Sequence, residues 1–167
     1  MSVRFYSDIG ENAMIIVKAL LANQRLMRLI YYTDKDPLAN DAQHPDVSDT
    51  IIQEEIFGKR LKIVPRVATN ETANPTVVIK FDRFVPNEEN IEFKDVKINI
   101  EVMIPISSWI VRDTNLRPFL LMGEIEKSLK GKKINGLGKI ESAGAQLNFL
   151  TDEISDYEMT FWITSYD

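Results

Sequence analysis

The strongest constraint on this chain is a run of alternating apolar residues between Ile91 and Val111. Val96, Ile98, Ile100, Val102, Ile104 and Ile106 share one phase, with Lys97, Asn99 and Glu101 between them. Successive side chains of a strand point to opposite faces, so this spacing builds a sheet with one apolar face. Ile91 and Phe93 hold the other phase. The slip near Lys94–Asp95 is what a β-bulge or a short turn produces. A strand of this length exceeds the usual five or six residues, and long strands often project as arms or hairpins.

Four further segments read as strands. Leu61, Ile63, Pro65 and Val67 alternate with Lys62, Val64 and Arg66, and Pro65 points to an edge strand or a bulge. After a turn cluster at Thr69–Pro75, Val77, Ile79, Phe81 and Val85 are expected on one face of a second strand. The last two strands are expected at Gly138–Leu150 and Tyr157–Tyr166. In the latter, Tyr157, Met159, Phe161 and Ile163 oppose Glu158, Thr160, Trp162 and Thr164.

Helical spacing governs Asp8–Tyr32, with apolar residues at Met14, Val17, Leu20, Leu21, Leu26, Leu29 and Ile30. Ser7 or Asp8 can cap its start, and Asn23 can cap a second short helix, Gln24–Tyr31. Thr33–Pro45 is rich in Asp, Asn and Pro and reads as a long loop. A helix at Ser48–Phe57 carries Ile51, Ile52 and Ile56 and meets Gly58 at its C-cap. Pro118 opens another helix, whose stripe is Phe119, Met122, Ile125 and Leu129. Lys127 and Lys130 suit its C-terminal end, and Gly131 ends it.

The expected order is α-α-β-β-β-α-β-β. Strands follow one another without βαβ alternation, which predicts an α+β fold: a largely antiparallel sheet with helices packed on one face. There is no internal repeat and no linker, so residues 1–167 read as one domain. The loop at 33–47 and the strand or hairpin at 76–111 are its extended parts.

Composition narrows the chemistry. The 167 residues contain no cysteine and one histidine, His44, which removes thiolate chemistry and His-cluster zinc sites. The net charge of −5 repels phosphate backbones. No apolar run approaches the roughly 20 residues that span a bilayer. The start, Met1-Ser2-Val3-Arg4, lacks the layout of a signal peptide, so use without export is expected.

Few constellations could carry a reaction. His44 could act as a base or ligand with Asp41 or Asp46, but a loop histidine before a proline is the simpler reading. Asp34, Asp36, Asn40, Asp41 and Asp46 crowd one loop without EF-hand spacing, as solvated turn residues do. Asp82 with Glu92-Phe93-Lys94 loosely matches the acid…acid-x-lysine pattern of metal-dependent nucleases. Charged residues on a solvent face explain that spacing more simply. Lys127, Lys130, Lys132 and Lys133 complement a helix end and lack aromatic stacking partners. Gly136-Leu137-Gly138 is too short for a dinucleotide fingerprint.

The segment pattern resembles tail-terminator or tail-completion proteins of tailed bacteriophages, which sit at the neck. The resemblance rests on Lys97-Ile98-Asn99-Ile100-Glu101-Val102, Arg117-Pro118-Phe119-Leu120-Leu121-Met122-Gly123-Glu124-Ile125, Gly136-Leu137-Gly138-Lys139-Ile140 and Tyr157-Glu158-Met159-Thr160-Phe161-Trp162-Ile163. The opening helix and Leu29-Ile30-Tyr31-Tyr32-Thr33 are similar too, whereas the loops at 33–47 and 69–76 are not covered.

The resemblance implies a non-enzymatic virion protein assembled in the host cytoplasm. It would form a homo-oligomeric ring, hexameric in that family, at the head-proximal end of the tail tube. Its partners would be the tail-tube protein, a head-connector or neck protein and the tail sheath. No cofactor, metal, membrane or sequence-specific nucleic acid is expected. Candidate assembly contacts are Asp34, Asp36, His44, Lys94, Trp109, Trp162 and Tyr166. Another neck, baseplate or tail-tube-like protein is the alternative, and a nuclease using Asp82 and Glu92 is a third reading.

Overall fold

The computed structural model describes residues 6–64, 73–112, 115–132 and 138–164. Three helical pieces come first: α1 (Asp8–Leu21), α2 (Gln24–Tyr31), and α3 (Asp49–Ile51), which runs into a π-helical turn at Ile52–Ile56. Strands β1 (Leu61–Ile63), β2 (Thr76–Pro86) and β3 (Lys94–Pro105) follow. A two-residue pair, β4 (Ile110–Val111) and β5 (Asn115–Leu116), leads into α4 (Arg117–Leu129). Strands β6 (Lys139–Leu150) and β7 (Ile154–Thr164) close the order. Asn23 does split the first helical run: its side chain accepts from the Leu26 N–H at 3.1 Å as the N-cap of α2.

Five strands form one sheet in the order β1-β2-β3-β7-β6. All neighbours are antiparallel except β1, which runs parallel to β2 over three residue pairs. The fold is therefore α+β as expected, with one parallel edge pair added. The expected strand at 61–67 is described only to Ile63, and Pro65, Val67 and most of the 69–75 turn lie outside the described residues.

The helices cover one face. Val77 and Ile79 of β2, Val96 to Ile104 in alternation on β3, and Met159, Phe161 and Ile163 of β7 meet Ile16, Leu20, Leu26, Leu29, Ile30, Ile56, Leu121, Ile125 and Leu129 in one core cluster. Each fully buried Ile, Leu or Phe of this kind contributes about 1.5–3 kcal/mol. Two glycines end helical segments with left-handed backbone, Gly58 at φ 77° and Gly131 at φ 71°, where a side chain would add strain.

Of the two readings of the phase slip at Lys94–Asp95, the structure shows the short turn: the Asn87 side chain accepts from the Glu89 and Asn90 N–H groups, and the Asn87 N–H donates to Phe93 O. Two other local expectations are corrected. The long strand therefore runs only from Lys94 to Pro105, and Ile106–Ser108 forms a 3-10 turn. The bulge lies instead in β2, between Phe81 and Arg83. It shifts the phase there, so Phe84 takes the helix-backed side opposite Val96, and Val85 pairs with Asp95 on the other face.

Candidate assembly surface

Residues 33–47 carry three of the expected contact residues and are built as a braced loop. His44 lies between two carboxylates, with Nδ1 2.9 Å from Asp41 Oδ1 and Nε2 2.8 Å from Asp34 Oδ2. Both contacts are hydrogen bonds only when both ring nitrogens carry protons. Hydrogen bonding to Asp34, then to Asp41, raises the His44 pKa above its ordinary value. Burial pulls the Asp34 carboxyl upward, but the His44 hydrogen bond, the Asp36 N–H and the nearby charges outweigh it and leave it below the ordinary range. The His44 ring also meets Tyr32 edge-on at 5.0 Å.

The strongest brace comes from outside the loop. Arg117 is fully buried, and its guanidinium donates to four carbonyls: Ser108 at 2.7 Å, Leu29 at 2.7 Å, Tyr32 at 2.6 Å and Asp34 at 2.5 Å. Arg60 donates to Ile30 O at 3.0 Å and Tyr31 O at 2.9 Å. Two arginines thus satisfy the last carbonyls of α2, which a helix end cannot satisfy itself. Burial lowers the Arg117 pKa to about 10, which keeps it charged at neutral pH. Gln24 exchanges two hydrogen bonds of 3.0 Å with the Val47 backbone, and Arg28 donates to Ala39 O. Asp36 pairs with Arg112, whose N–H donates to Lys35 O.

Sequence reasoning missed Arg117. The signal was a cation at the first turn of a helix, the end where the dipole disfavours it. An arginine there has its charge committed elsewhere.

A second region gathers exposed apolar groups around the edge strand. Ile110 and Leu116 pair across β4 and β5, and Phe119 of α4 meets the Tyr157 ring at 5.4 Å. Trp109 meets the same ring at 6.4 Å, and Leu147 of β6 stands opposite Tyr157. Ile110 is 59% exposed, Leu147 50% and Phe119 48%. Trp109 therefore joins an apolar patch, while Lys94 lies over the Tyr6 ring at 5.1 Å, on another strand end.

The face of the sheet turned away from the helices is polar. Lys80 pairs with Glu101, and Lys97 reaches Asp82 at 2.8 Å. Trp162 lines a shallow depression on this face with Arg83, Val85, Pro86 and Asp95. Asp156 is fully buried here. Asn148 donates to its Oδ2 at 2.8 Å, and its Oδ1 has no hydrogen-bond partner among the described residues. Burial raises its pKa to about 6.

The structure does not gather the expected contact residues at one place. Asp34, Asp36 and His44 share the braced loop, Trp109 packs on the Tyr157 ring, Lys94 lies over the Tyr6 ring, and Trp162 lines the depression on the polar face. Tyr166 lies outside the described residues. Asp82 is committed to Lys97, and Glu92 sits in the turn beyond the Pro86–Lys94 pair. No group of three or more metal-ligating side chains occurs among the described residues. Lys127 and Lys130 of the basic run pair with Glu124 and Glu126, and Lys133 and Gly136-Leu137 lie outside the described residues.

Among the described residues, neither lateral border of the sheet is paired along its whole length. Strand β6 pairs with β7 on one side only, and the outer side of β2 beyond Ile79 pairs with no strand among the described residues. No helix among the described residues is long and apolar enough to cross a membrane.

Comparison with known families points to a phage setting. The chain belongs to the YomW family, a phage-like Bacillus protein family, whose model matches residues 23–163. No curated protein matches the chain.

Proposed function

We propose that this chain is a phage tail terminator: a subunit that closes into a ring at the head-proximal end of the tail tube and offers the ring's upper rim to a head connector. In this reading it acts by assembly and without catalysis, and it works in the virion after assembly in the host cytoplasm. Membership of a phage-associated family sets the context. The observation that carries the reading is a pair of sheet borders that meet no further strand among the described residues, β6 on one side and β2 beyond Ile79 on the other. Two different borders on one subunit are what a heterologous, head-to-tail contact requires, and such contacts make rings when the rotation closes.

The braced loop at 33–47 and the patch of Ile110, Phe119 and Leu147 are the surfaces left for the tube, the connector and a sheath. Negative-stain microscopy of the purified protein with and without tail tubes tests this. Closed rings that cap tube ends support the reading. Open tubes built from this chain alone would favour the second reading, a tail-tube-like protein, and binding to neither tubes nor connectors would remove the first.

A further inference from the structure

We infer that His44 is a pH latch on the tip of the 33–47 loop: as an imidazolium it ties residues 40–44 to Asp34, and as a neutral imidazole it lets them go while residues 33–39 stay fixed. This goes beyond the ring reading and does not depend on it.

The geometry of the ring sets the rule. Nδ1 lies 2.9 Å from Asp41 Oδ1, and Nε2 lies 2.8 Å from Asp34 Oδ2. A neutral imidazole carries one N–H, so after deprotonation one of the two contacts sets a nitrogen lone pair against a carboxylate. The His44 side chain is only 10% exposed, so water does not take the lost place while the ring stays put. One contact must open.

Which one opens follows from the neighbours. Asp41 Oδ1 also accepts from the backbone N–H groups of Gln43 and His44, at 2.9 Å each. Residues 41–44 therefore form a local turn closed by its own backbone, whatever the state of the ring. The His44–Asp34 contact instead joins residues ten apart in the chain, and it is the tie that the lost proton releases.

The rest of the loop is held by groups that do not titrate with His44. Arg117 donates to Tyr32 O and Asp34 O, Arg28 to Ala39 O, and Arg112 pairs with Asp36. On the other flank Gln24 pins Val47, and the Tyr32 hydroxyl donates to Pro45 O at 2.9 Å. Between these anchors residues 40–43 are exposed. The titratable and charged groups around His44 are Asp34 and Asp41 on its nitrogens, Tyr32 edge-on, and the Arg28–Asp46 pair, with Arg117 of α4 and Arg112 behind Asp34 and Asp36. Tyr32, which burial raises above its ordinary 10.0, stays neutral, and Arg117 at about 10 stays charged. Hydrogen bonding to Asp34, then to Asp41, raises the His44 pKa. The latch is therefore closed below about 6.5 and opens as pH rises through the raised value.

Two alanines report on the two parts, Ala39 in the fixed half and Ala42 in the tip. Methyl relaxation of the alanine-labelled chain, followed from about pH 5 to about pH 9 beside the His44 ring resonances, tests the latch. The Ala42 order parameter is expected to fall with the midpoint of the His44 titration while that of Ala39 stays constant. Asp34→Ala is expected to lower the His44 midpoint and to leave Ala42 mobile at every pH. His44→Ala is expected to leave Ala42 equally mobile, with circular dichroism unchanged. An Ala42 methyl whose order is flat across the His44 titration overturns the latch, and so does one that loosens together with Ala39. Ala42 that keeps its low-pH order in Asp34→Ala overturns it as well. Each of these results leaves the ring reading standing, because they report on the loop of one subunit.

Discussion

The loop at 33–47 and the strand β6 are both polar, exposed stretches, yet they are held in opposite ways. The loop's backbone carbonyls and side chains are met by Arg117, Arg28, Arg112, Gln24 and His44, from three other elements and from within. Strand β6 is held by β7 on one edge, and most of its side chains from Ala143 to Leu150 are exposed. A loop that needs so many fixed partners presents one shape to whatever it meets. A strand that pairs on one edge only among the described residues keeps main-chain groups to offer there. The two regions therefore differ in what they leave to make contact with: fixed side chains in the loop, main-chain groups in the strand.

The sharpest way to break the contrast is to remove the brace. Arg117→Met keeps the volume but takes the guanidinium donor from four carbonyls, two buried and two half-buried, at an expected cost of about 3–5 kcal/mol. Urea denaturation measures the loss, and hydrogen exchange in the variant should quicken first at 33–47 and the end of α2. Equal quickening in β6 would show that the loop is not independently braced.

On the polar face of the sheet, Asp156 should behave oppositely. Its native pKa of about 6 lies above the unfolded value of ~3.9. The native state thus holds the proton more tightly, and stability falls as pH rises from about 4 through about 6. The full difference corresponds to about 3 kcal/mol, so Asp156→Asn is expected to stabilise the chain by roughly 1–2 kcal/mol at pH 8 and to flatten the slope. Thermal unfolding at several pH values checks it, and an unchanged slope would refute the assignment.

His44 gives a smaller effect confined to the loop. Its pKa is raised in the folded chain, so the clamp on Asp34 and Asp41 is fully present below about 6.5 and is lost as pH rises through the raised value. As the only histidine, its ring resonances are unambiguous in a nuclear magnetic resonance titration, and a midpoint at or below about 6.5 would contradict the clamp. The smallest expected change is Leu147→Asp in β6: half exposed, it should alter stability by less than about 0.5 kcal/mol while reducing any contact made through the Phe119–Tyr157 patch.

Much of the fold was readable from period and punctuation. The alternation at 96–104 gave the central strand, Asn23 gave the helix break, and Gly58, Pro118 and Gly131 gave helix boundaries. What escaped depended on tertiary pairing. The bulge at Phe81–Arg83 leaves no local mark beyond a polar pair, and its displacement of Val85 appears only when β3 fixes the register. The turn at 87–93 is made by one asparagine side chain whose role is set by Phe93 folding back onto it.

The surface was less legible for the same reason. Acidic residues at 34, 36 and 41 read as solvated turn chemistry, because the loop's outside braces come from far along the chain: Arg112 pairs with Asp36 and Arg117 donates to Asp34 O, 76 and 83 residues away. Strand β6 reads as an ordinary half-buried strand until its place at the border is known. Asp156 carries no signal in its flanking sequence, since its burial comes from the sheet face on which it lands.

Hydrogen exchange across a dilution series, followed to peptide resolution, tests the central claim most directly. Amides of β6 should gain protection as concentration rises, while those of 33–47 keep the same protection at every dilution. Protection that rises in the loop while β6 exchanges at a constant rate would contradict the contrast.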